Sequence, residues 1–489
     1  MTGVREDKRR LAPSMVANSA VQIVGLLASF LISLVTFAAI TRHLGPTKFG
    51  YYSAALALLL IPNTISDLGL SKTVLRRISR QPELSGEVVS AGLTVRTLVS
   101  LVAFPVTLAL AFVVPLPDGT RMAALVASVG SFVMVLNDGL LSVLQAELRM
   151  RWATTANILG RALTLGLTLV AFEFGRGLYA VLLAYIAGNA LTLLVDFLAV
   201  RGVGLRPFLD LRYCRRLARS SLVIGASVIM GSLYFRIDVV LLAALRPSSD
   251  VGLYSSAYKF LDLSLLVGSA ITVSIFPHLS REMVKKTVAK AHVQHIFNVL
   301  LAFGTAIAVV VGMHAKHLIV LTSGDKYLPA TSTLQILAPA ITVSLIAGLF
   351  GAILLAGDRE RLLLLVHSTM FAVNVGLNLA LIPPYGYNAA AATTLASGVA
   401  WTFLTGLCIH RAFGIIVSPS FVPQVAAAAG AMAAVLAFCP GPWVLVEALA
   451  GLAFVLVLVV LPGPGSRYVG HLVEPVLGRG RFARKSVAT

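Results

Sequence analysis

From residue 14 to residue 461 the chain is an almost unbroken succession of apolar runs, each about as long as the 20 residues a helix needs to cross a bilayer. In lipid, every backbone N–H and C=O must be satisfied within the segment, so such runs become helices. Hydrophobic residues make up 58% of the 489 and charged residues only 12%, where a soluble domain carries about 25% charge. A chain of this kind is an all-α polytopic membrane protein.

The runs fall at 14–40, 49–69, 90–114, 121–144, 153–173 and 178–200, then, after a basic linker at 201–216, at 217–245, 252–278, 293–313, 330–356, 361–382 and 388–410, with two more at 421–439 and 443–461. That is an expectation of about 14 transmembrane helices. Residues 1–13 and 462–489 remain as a polar N-terminus and a basic tail. Turn residues such as Pro115-Leu-Pro-Asp-Gly119, Pro383-Pro-Tyr-Gly386 and Pro440-Gly-Pro442 separate several of the runs. The N-terminal apolar run has no small-residue cleavage site at the usual distance, so it reads as a retained span rather than a signal peptide.

Placing the N-terminus in the cytoplasm puts 28 of the 39 Lys and Arg on the cytoplasmic side. Seven (Arg42, Lys48, Arg121, Arg176, Arg246, Lys316 and Lys326) then fall in external loops. Cytoplasmic loops carry the excess of basic residues in membrane proteins, and one miscounted span would scramble the alternation. Both termini are therefore expected in the cytoplasm. The net charge of +19 is on this reading topological and faces anionic lipid; nucleic acid is not an expected partner. Cys214, Cys408 and Cys439 have neither framework nor CxxC spacing, so no disulfide scaffold and no metal site is expected.

The chain also repeats itself. Gly50, Tyr52 and Ser53 recur as Gly252, Tyr254 and Ser255, and Ser79-Arg80 recurs as Ser280-Arg281. Gly166-Leu-Thr-Leu pairs with Gly376-Leu-Asn-Leu, and Gly177-Leu-Tyr-Ala with Gly386-Tyr-Asn-Ala. Spans one to six (14–200) thus map onto seven to twelve (217–410), and six is even, so the halves enter the membrane in the same sense. Halves of this type are related by an axis along the membrane normal, with a substrate path between them. Spans thirteen and fourteen (421–461) stand outside the repeat and read as accessory.

Several segments carry a family resemblance: Arg42-His-Leu-Gly-Pro-Thr-Lys-Phe-Gly-Tyr-Tyr-Ser53, Asp67-Leu-Gly-Leu70 with Arg76-Arg-Ile-Ser-Arg80, Asp238-Val-Val-Leu-Leu242, Val251-Gly-Leu-Tyr-Ser-Ser-Ala-Tyr258, Phe276-Pro-His-Leu-Ser280, and Gly357-Asp-Arg-Glu-Arg361 followed by Asn374, Asn378, Ile382-Pro383 and Tyr385-Gly386. The chain resembles the polysaccharide-biosynthesis membrane proteins, the Wzx-like O-antigen and exopolysaccharide flippases of the multidrug/oligosaccharidyl-lipid/polysaccharide exporter superfamily. The resemblance implies two six-helix lobes around a central cavity, alternating access, and export of an undecaprenyl-pyrophosphate-linked glycan across the bacterial plasma membrane. Its implied partners are that polyprenyl-diphosphate-linked glycan, membrane lipid, and glycan polymerase or ligase machinery. No soluble catalytic domain and no GxxxxGK[ST] phosphate loop is present, so no enzyme activity and no nucleotide is expected.

The informative residues are the ionisable ones inside the spans, because each costs several kcal/mol if it faces lipid. Arg236 in the seventh span and Lys259 in the eighth fall at matching depths, about 13–15 Å from the outer boundary at 1.5 Å per residue. Two cations at one level suit an anion, and an arginine fork suits a diphosphate. The alternative is a neutral structural network with Asp238 and Asp262, although Arg236 and Asp238, two apart, point to different sides of a helix. In the first half the set is Arg96, Asp138, Arg161 and Asp196. Arg161 is the deeper substrate candidate, while Arg96 and Asp196 lie near enough to the span ends to snorkel. Asp67, Glu147 and Asp358 sit at cytoplasmic span ends and read as loop or gate residues. No cofactor is implied. An Asp exchanging protons, with Asp138 or Asp238 as candidates, or the lipid gradient itself, would drive the cycle, and H⁺ and Na⁺ both stay open.

Other classes remain. A multidrug exporter of the superfamily would share the fold, and a lipid II or teichoic-acid precursor flippase would differ only in headgroup. A membrane glycan polymerase or ligase needs large external loops, and the longest here, His314 to Pro329, is short.

Overall fold

The computed structural model of the chain describes residues 3–71, 73–74, 85–147, 149–201, 210–264, 290–439 and 442–461. Every regular element among them is helical. In chain order the α-helices are α1 (Gly3–Asp67), α2 (Ser85–Val113), α3 (Asp118–Ala146), α4 (Met150–Glu173), α5 (Leu178–Val200), α6 (Leu211–Tyr234), α7 (Ile237–Leu245), α8 (248–264), α9 (Lys290–Met313), α10 (Ala315–Ser323), α11 (Ala330–Ala356), α12 (Glu360–Tyr385), α13 (Tyr387–Phe413), α14 (Val422–Phe438) and α15 (Trp443–Val460).

Ten of the described helices are long and apolar enough to cross a membrane, or 11 when the two arms of α6, bent by 54°, count as one span. The expected total of fourteen is not reached among the described residues, for reasons visible in the backbone. The first two expected spans run together as α1, broken at Gly45 (φ 70°, ψ 173°). That conformation is open only to glycine, and Pro46 follows, which gives no N–H to the turn before it and is tolerated at the start of a new helical arm. The seventh expected span is interrupted, since α6 stops at Tyr234 and α7 begins at Ile237. The last expected span is α15, of which the apolar stretch Leu445–Val460 is only about 24 Å long. Residues 265–278 of the eighth expected span lie outside the described residues. So do Lys72, Arg76, Arg77, Arg80, Arg281 and the basic tail.

The chain packs as two compact units. One comprises Met1–Ser256, Ile319–Ala330 and Leu364–Ala390; the other comprises Ala257–Leu318, Thr331–Leu363 and Ala391–Thr489.

In the first unit, small residues set how near the helices come. Along α5 the buried positions include Ala184, Gly188, Thr192, Asp196 and Val200, a ridge with a spacing of four that lies along one helix face. Gly188 and Gly160 of α4 face one another there: a Cβ on either would lie 2.6 Å from the other's carbonyl oxygen. Without a hydrophobic drive between helices in lipid, such close backbone approach supplies the packing energy. The duplicated motif meets itself in the same unit. A Cβ on Gly50 would lie 2.8 Å from the carbonyl carbon of Ser248, and one on Gly252 would lie 2.8 Å from that of Pro46. Gly252 is the repeat partner of Gly50, and at the same offset Ser248 is the partner of Pro46. The contact is therefore reciprocal.

The second unit has its own core, with Val293, Phe297 and Leu300 of α9, Leu349 and Ile353 of α11, Ile409 of α13, Val425 and Ala428 of α14, and Phe454 and Leu458 of α15. Gln424, buried on α14, donates to Leu458 O at 2.8 Å and to Leu461 O at 2.9 Å. It satisfies carbonyls that the end of α15 leaves without helical partners. The two helices outside the repeat are thus built into this core.

Candidate functional site

All eleven residues singled out by the sequence are described. Within the first unit, three places hold six of them.

The first is a charged knot where α1 ends. Leu68 (φ 45°) and Gly69 (φ 72°) turn the chain through the left-handed region. Asp67 closes that turn, accepting from Gly69 N at 3.2 Å, Ser71 N at 3.3 Å and Ser71 Oγ at 2.6 Å. Gly69 also lets the turn lie against α6, where a Cβ would come within 2.7 Å of Gly225 N. Arg96 of α2 reaches this knot. Its Nη2 is ion-paired with Asp67 and donates to Ser71 Oγ at 2.7 Å. Arg96 is only 3% exposed, and its Nη1 has no hydrogen-bond partner among the described residues. Asp138, half-buried on α3, stands within the field of Arg96 and Asp67. The adjoining Gly139 faces Arg96, whose Cδ would be 3.7 Å from a Cβ there.

Snorkelling fails for both residues expected to do it. Arg96 is held inward by Asp67 and Ser71. Asp196 is 2% exposed, and its Oδ1 has no partner among the described residues. Asp196 belongs to the small-residue ridge of α5, so its short side chain faces the packed interior and has no reach to the interface. Sequence distance from the span end carried no information about facing.

The second place is a polar seam between α1 and α4. Arg161 is exposed on α4. Its Nε donates to Asn157 Oδ1 at 2.6 Å, and its Nη1 donates to Ser33 Oγ. Ser29 Oγ donates to the same Asn157 oxygen at 3.4 Å. Asn157 and Arg161 are i,i+4 on α4, as Ser29 and Ser33 are on α1, so each pair shares one helix face. The seam orients the guanidinium, which needs water or a polar partner at this depth. Sequence reasoning found Arg161 and missed Ser29, Ser33 and Asn157, although their matched spacing was there to be read.

The third place is the break in the seventh expected span. Arg236 has φ −133° and ψ −10°, outside the helical region, and immediately precedes α7. Irregular backbone at membrane depth is tolerated where it is buried in protein or lines a wet cavity. Arg236 lines a narrow, largely apolar crevice with Ala57, Leu60, Ile61 and Thr64 of α1 and with Ser232 and Leu233 of α6. The expectation of a continuous span through Arg236 is corrected by this break. Asp238, two residues on, is 1% exposed and accepts a hydrogen bond from the hydroxyl of Tyr254, which is itself fully buried. In the same unit, Asn378 Nδ2 donates to Asn374 Oδ1 at 2.8 Å, both residues being buried.

Lys259 and Asp262 are half-buried on α8, in the second unit. Glu147 is exposed just past the end of α3. Asp358 is exposed in the turn between α11 and α12, with φ 54°. No cluster of His, Cys, Asp and Glu fit to hold a metal occurs among the described residues.

The family model described as polysaccharide biosynthesis protein matches residues 15–283, more than half of the chain. The chain belongs to the polysaccharide biosynthesis protein family. Among curated relatives, this family member is 24% identical over 374 residues to a Haloferax volcanii protein named "Probable low-salt glycan biosynthesis flippase Agl15", covering 73% of this chain and 75% of the relative. Among solved structures it superposes on lipid II flippase MurJ in an inward closed conformation with a TM-score of 0.73 and 10% identity, covering 95% of this chain and all of the other. It also superposes on an inward-facing MATE family multidrug transporter of the MOP superfamily with a TM-score of 0.64 and 16% identity, covering 79% and 94%. These superpositions establish the fold. The polysaccharide biosynthesis protein described here is a multi-pass membrane protein that shares the fold of these two transporters.

Proposed function

We propose that this protein flips an undecaprenyl-diphosphate-linked oligosaccharide from the inner to the outer leaflet of the bacterial plasma membrane, by alternating access between two repeated lobes, for surface polysaccharide synthesis. The observation that carries the reading is Arg236, a permanent cation placed at a helix break about ten residues from the end of its span and lining a crevice. Ten residues are about 15 Å, near the midplane. A diphosphate offers several acceptor oxygens to a guanidinium fork. Arg161, exposed on its polar seam, is proposed as the first-half contact with the same headgroup. Lys259 is proposed as a further contact, and Arg96 as a residue holding the shape of the inner end. The family and the glycan flippase among its relatives support a glycan-lipid substrate. The excess of basic residues in alternate loops supports cytoplasmic termini.

The test is substrate accumulation. In a strain lacking the protein, undecaprenyl-linked glycan should collect in the inner leaflet. Arg161→Ala and Arg236→Ala should fail to relieve this while the protein remains folded in membranes. Export that survives both changes would sink the diphosphate contact. A normal glycan-lipid distribution together with altered sensitivity to cationic drugs would favour the multidrug-exporter reading.

A further inference from the structure

We infer that residues 319–330 form a lid over one end of the pathway, with Tyr327 as its plug and Arg42 as its clasp. The lid itself is read from packing alone. Its role as a gate rests on the alternating-access reading above.

Tyr327 is the lone aromatic in a short turn, Asp325–Tyr327, whose other two members are exposed charges. It is nonetheless fully buried. Its ring meets Phe49 edge-on at 6.2 Å, and Phe49 in turn packs on Phe37 at 5.8 Å and on Tyr52 at 6.0 Å. Its hydroxyl donates to Thr41 O at 3.2 Å. Burial pushes the phenol's ionisation above its ordinary value, so it stays a donor at physiological pH.

The docking side is prepared by the break in α1. Pro46 has no N–H to offer the turn before it, and the chain turns at Gly45, so α1 presents Thr41 and Arg42 at a helix end. Thr41 is buried, and its Oγ1 bonds Phe37 O at 2.9 Å and reaches Thr322 O at 3.4 Å. Arg42 Nη2 donates to Leu321 O at 2.6 Å and to Val320 O at 3.3 Å. These are carbonyls of the last turn of α10, which the helix cannot satisfy itself, and a basic side chain is their usual partner. Gly324, at φ 86°, turns the chain between the clasp and the plug.

This construction differs from the rest of the unit. The α4–α5 contact buries a whole ridge, and the Gly50–Gly252 contact is backbone on backbone. The lid is held by one aromatic plug and a few hydrogen bonds at element ends, so it can release without unpacking a helix pair. It also joins α1 to a segment from the other half of the sequence repeat. Motion of one half relative to the other would have to open it.

The test uses the purified full-length protein with Cys214, Cys408 and Cys439 replaced by alanine and Ala330→Cys as reporter, the last residue of the lid, with 0% exposure. A polar maleimide then reads the open fraction as a labelling rate. Tyr327→Phe removes one oxygen and one hydrogen bond and should raise that rate about 5-fold, the factor for one net hydrogen bond. Arg42→Ala should raise it by a similar or larger factor, and Arg42→Lys should fall between. Rates unchanged in both Tyr327→Phe and Arg42→Ala would overturn the lid. If Arg42→Ala does not fold, Tyr327→Phe decides alone. Labelling needs no substrate, so the outcomes separate: faster labelling with no glycan-lipid accumulating in the deletion strain would leave the lid standing and remove the flippase reading. Unchanged labelling with accumulation would do the reverse.

Discussion

Gly50→Ala is the sharpest probe of the duplicated motif. A Cβ at Gly50 would run into Ser248 O, besides lying 2.8 Å from Ser248 C and 3.2 Å from Gly252 N; ordinary contact begins at 3.4 Å, so one segment must move by more than about an ångström. Every atom it meets is backbone, so no side-chain rotation can absorb the methyl. Overpacking of this kind costs about 1–3 kcal/mol, a factor of roughly 5–150 in the folding equilibrium. Gly252→Ala should cost about the same, because the reciprocal contact places its Cβ 2.8 Å from Pro46 C. The double variant should cost clearly less than the sum of the two, since one separation of the segments relieves both clashes and sites in contact are not additive. Gly166→Ala is the control: nothing lies within 4 Å of a Cβ there, and alanine in a helix interior is favoured by about 0.5–1 kcal/mol. Equilibrium unfolding of the detergent-solubilised protein in a denaturant titration measures all four. If Gly50→Ala behaves like Gly166→Ala, or if the double variant is fully additive, the reciprocal contact is not what holds these segments together.

Other outcomes follow from the charged and polar groups. Arg96→Ala should destabilise by about 1–3 kcal/mol, below the cost of a fully buried pair, because Asp67 is 24% exposed and regains water; Asp67→Asn should cost less, and a double-mutant cycle should return a coupling above about 0.5 kcal/mol. Asp196→Asn keeps the shape of a carboxylate whose Oδ1 has no partner among the described residues, so stability should hold or rise. Loss of glycan-lipid export in that folded variant would make Asp196 a carrier of the coupling ion, and retained export would leave it structural. Gln424→Leu strips the partner from the carbonyls of Leu458 and Leu461 and should cost about 1–3 kcal/mol by the same unfolding measurement.

The residues behind each result were unequally legible in the sequence. Membrane class and helical content were determined by the sequence alone, because lipid allows an apolar run only one way to satisfy its backbone. The reciprocal approach of Gly50 and Gly252 was foreshadowed by their repeat positions. Arg161 and Arg236 were found because a charge in an apolar run is visible in one dimension. Facing was not visible. Asp196 and Arg96 looked able to snorkel, but the i+4 ridge of α5 carries one inward and the left-handed turn at Leu68-Gly69 brings Asp67 to the other. The break at Arg236 follows no proline or glycine, so no local signal announced it. The lid was hidden for a related reason: Tyr327 directly follows two charged residues in a short turn, and its socket is made by Thr41 and Phe49, nearly three hundred residues earlier. Periodicity and span counting see energies that act within a turn or across a bilayer thickness; which side chain fills which socket depends on contacts between distant segments, and only the tertiary structure decides it.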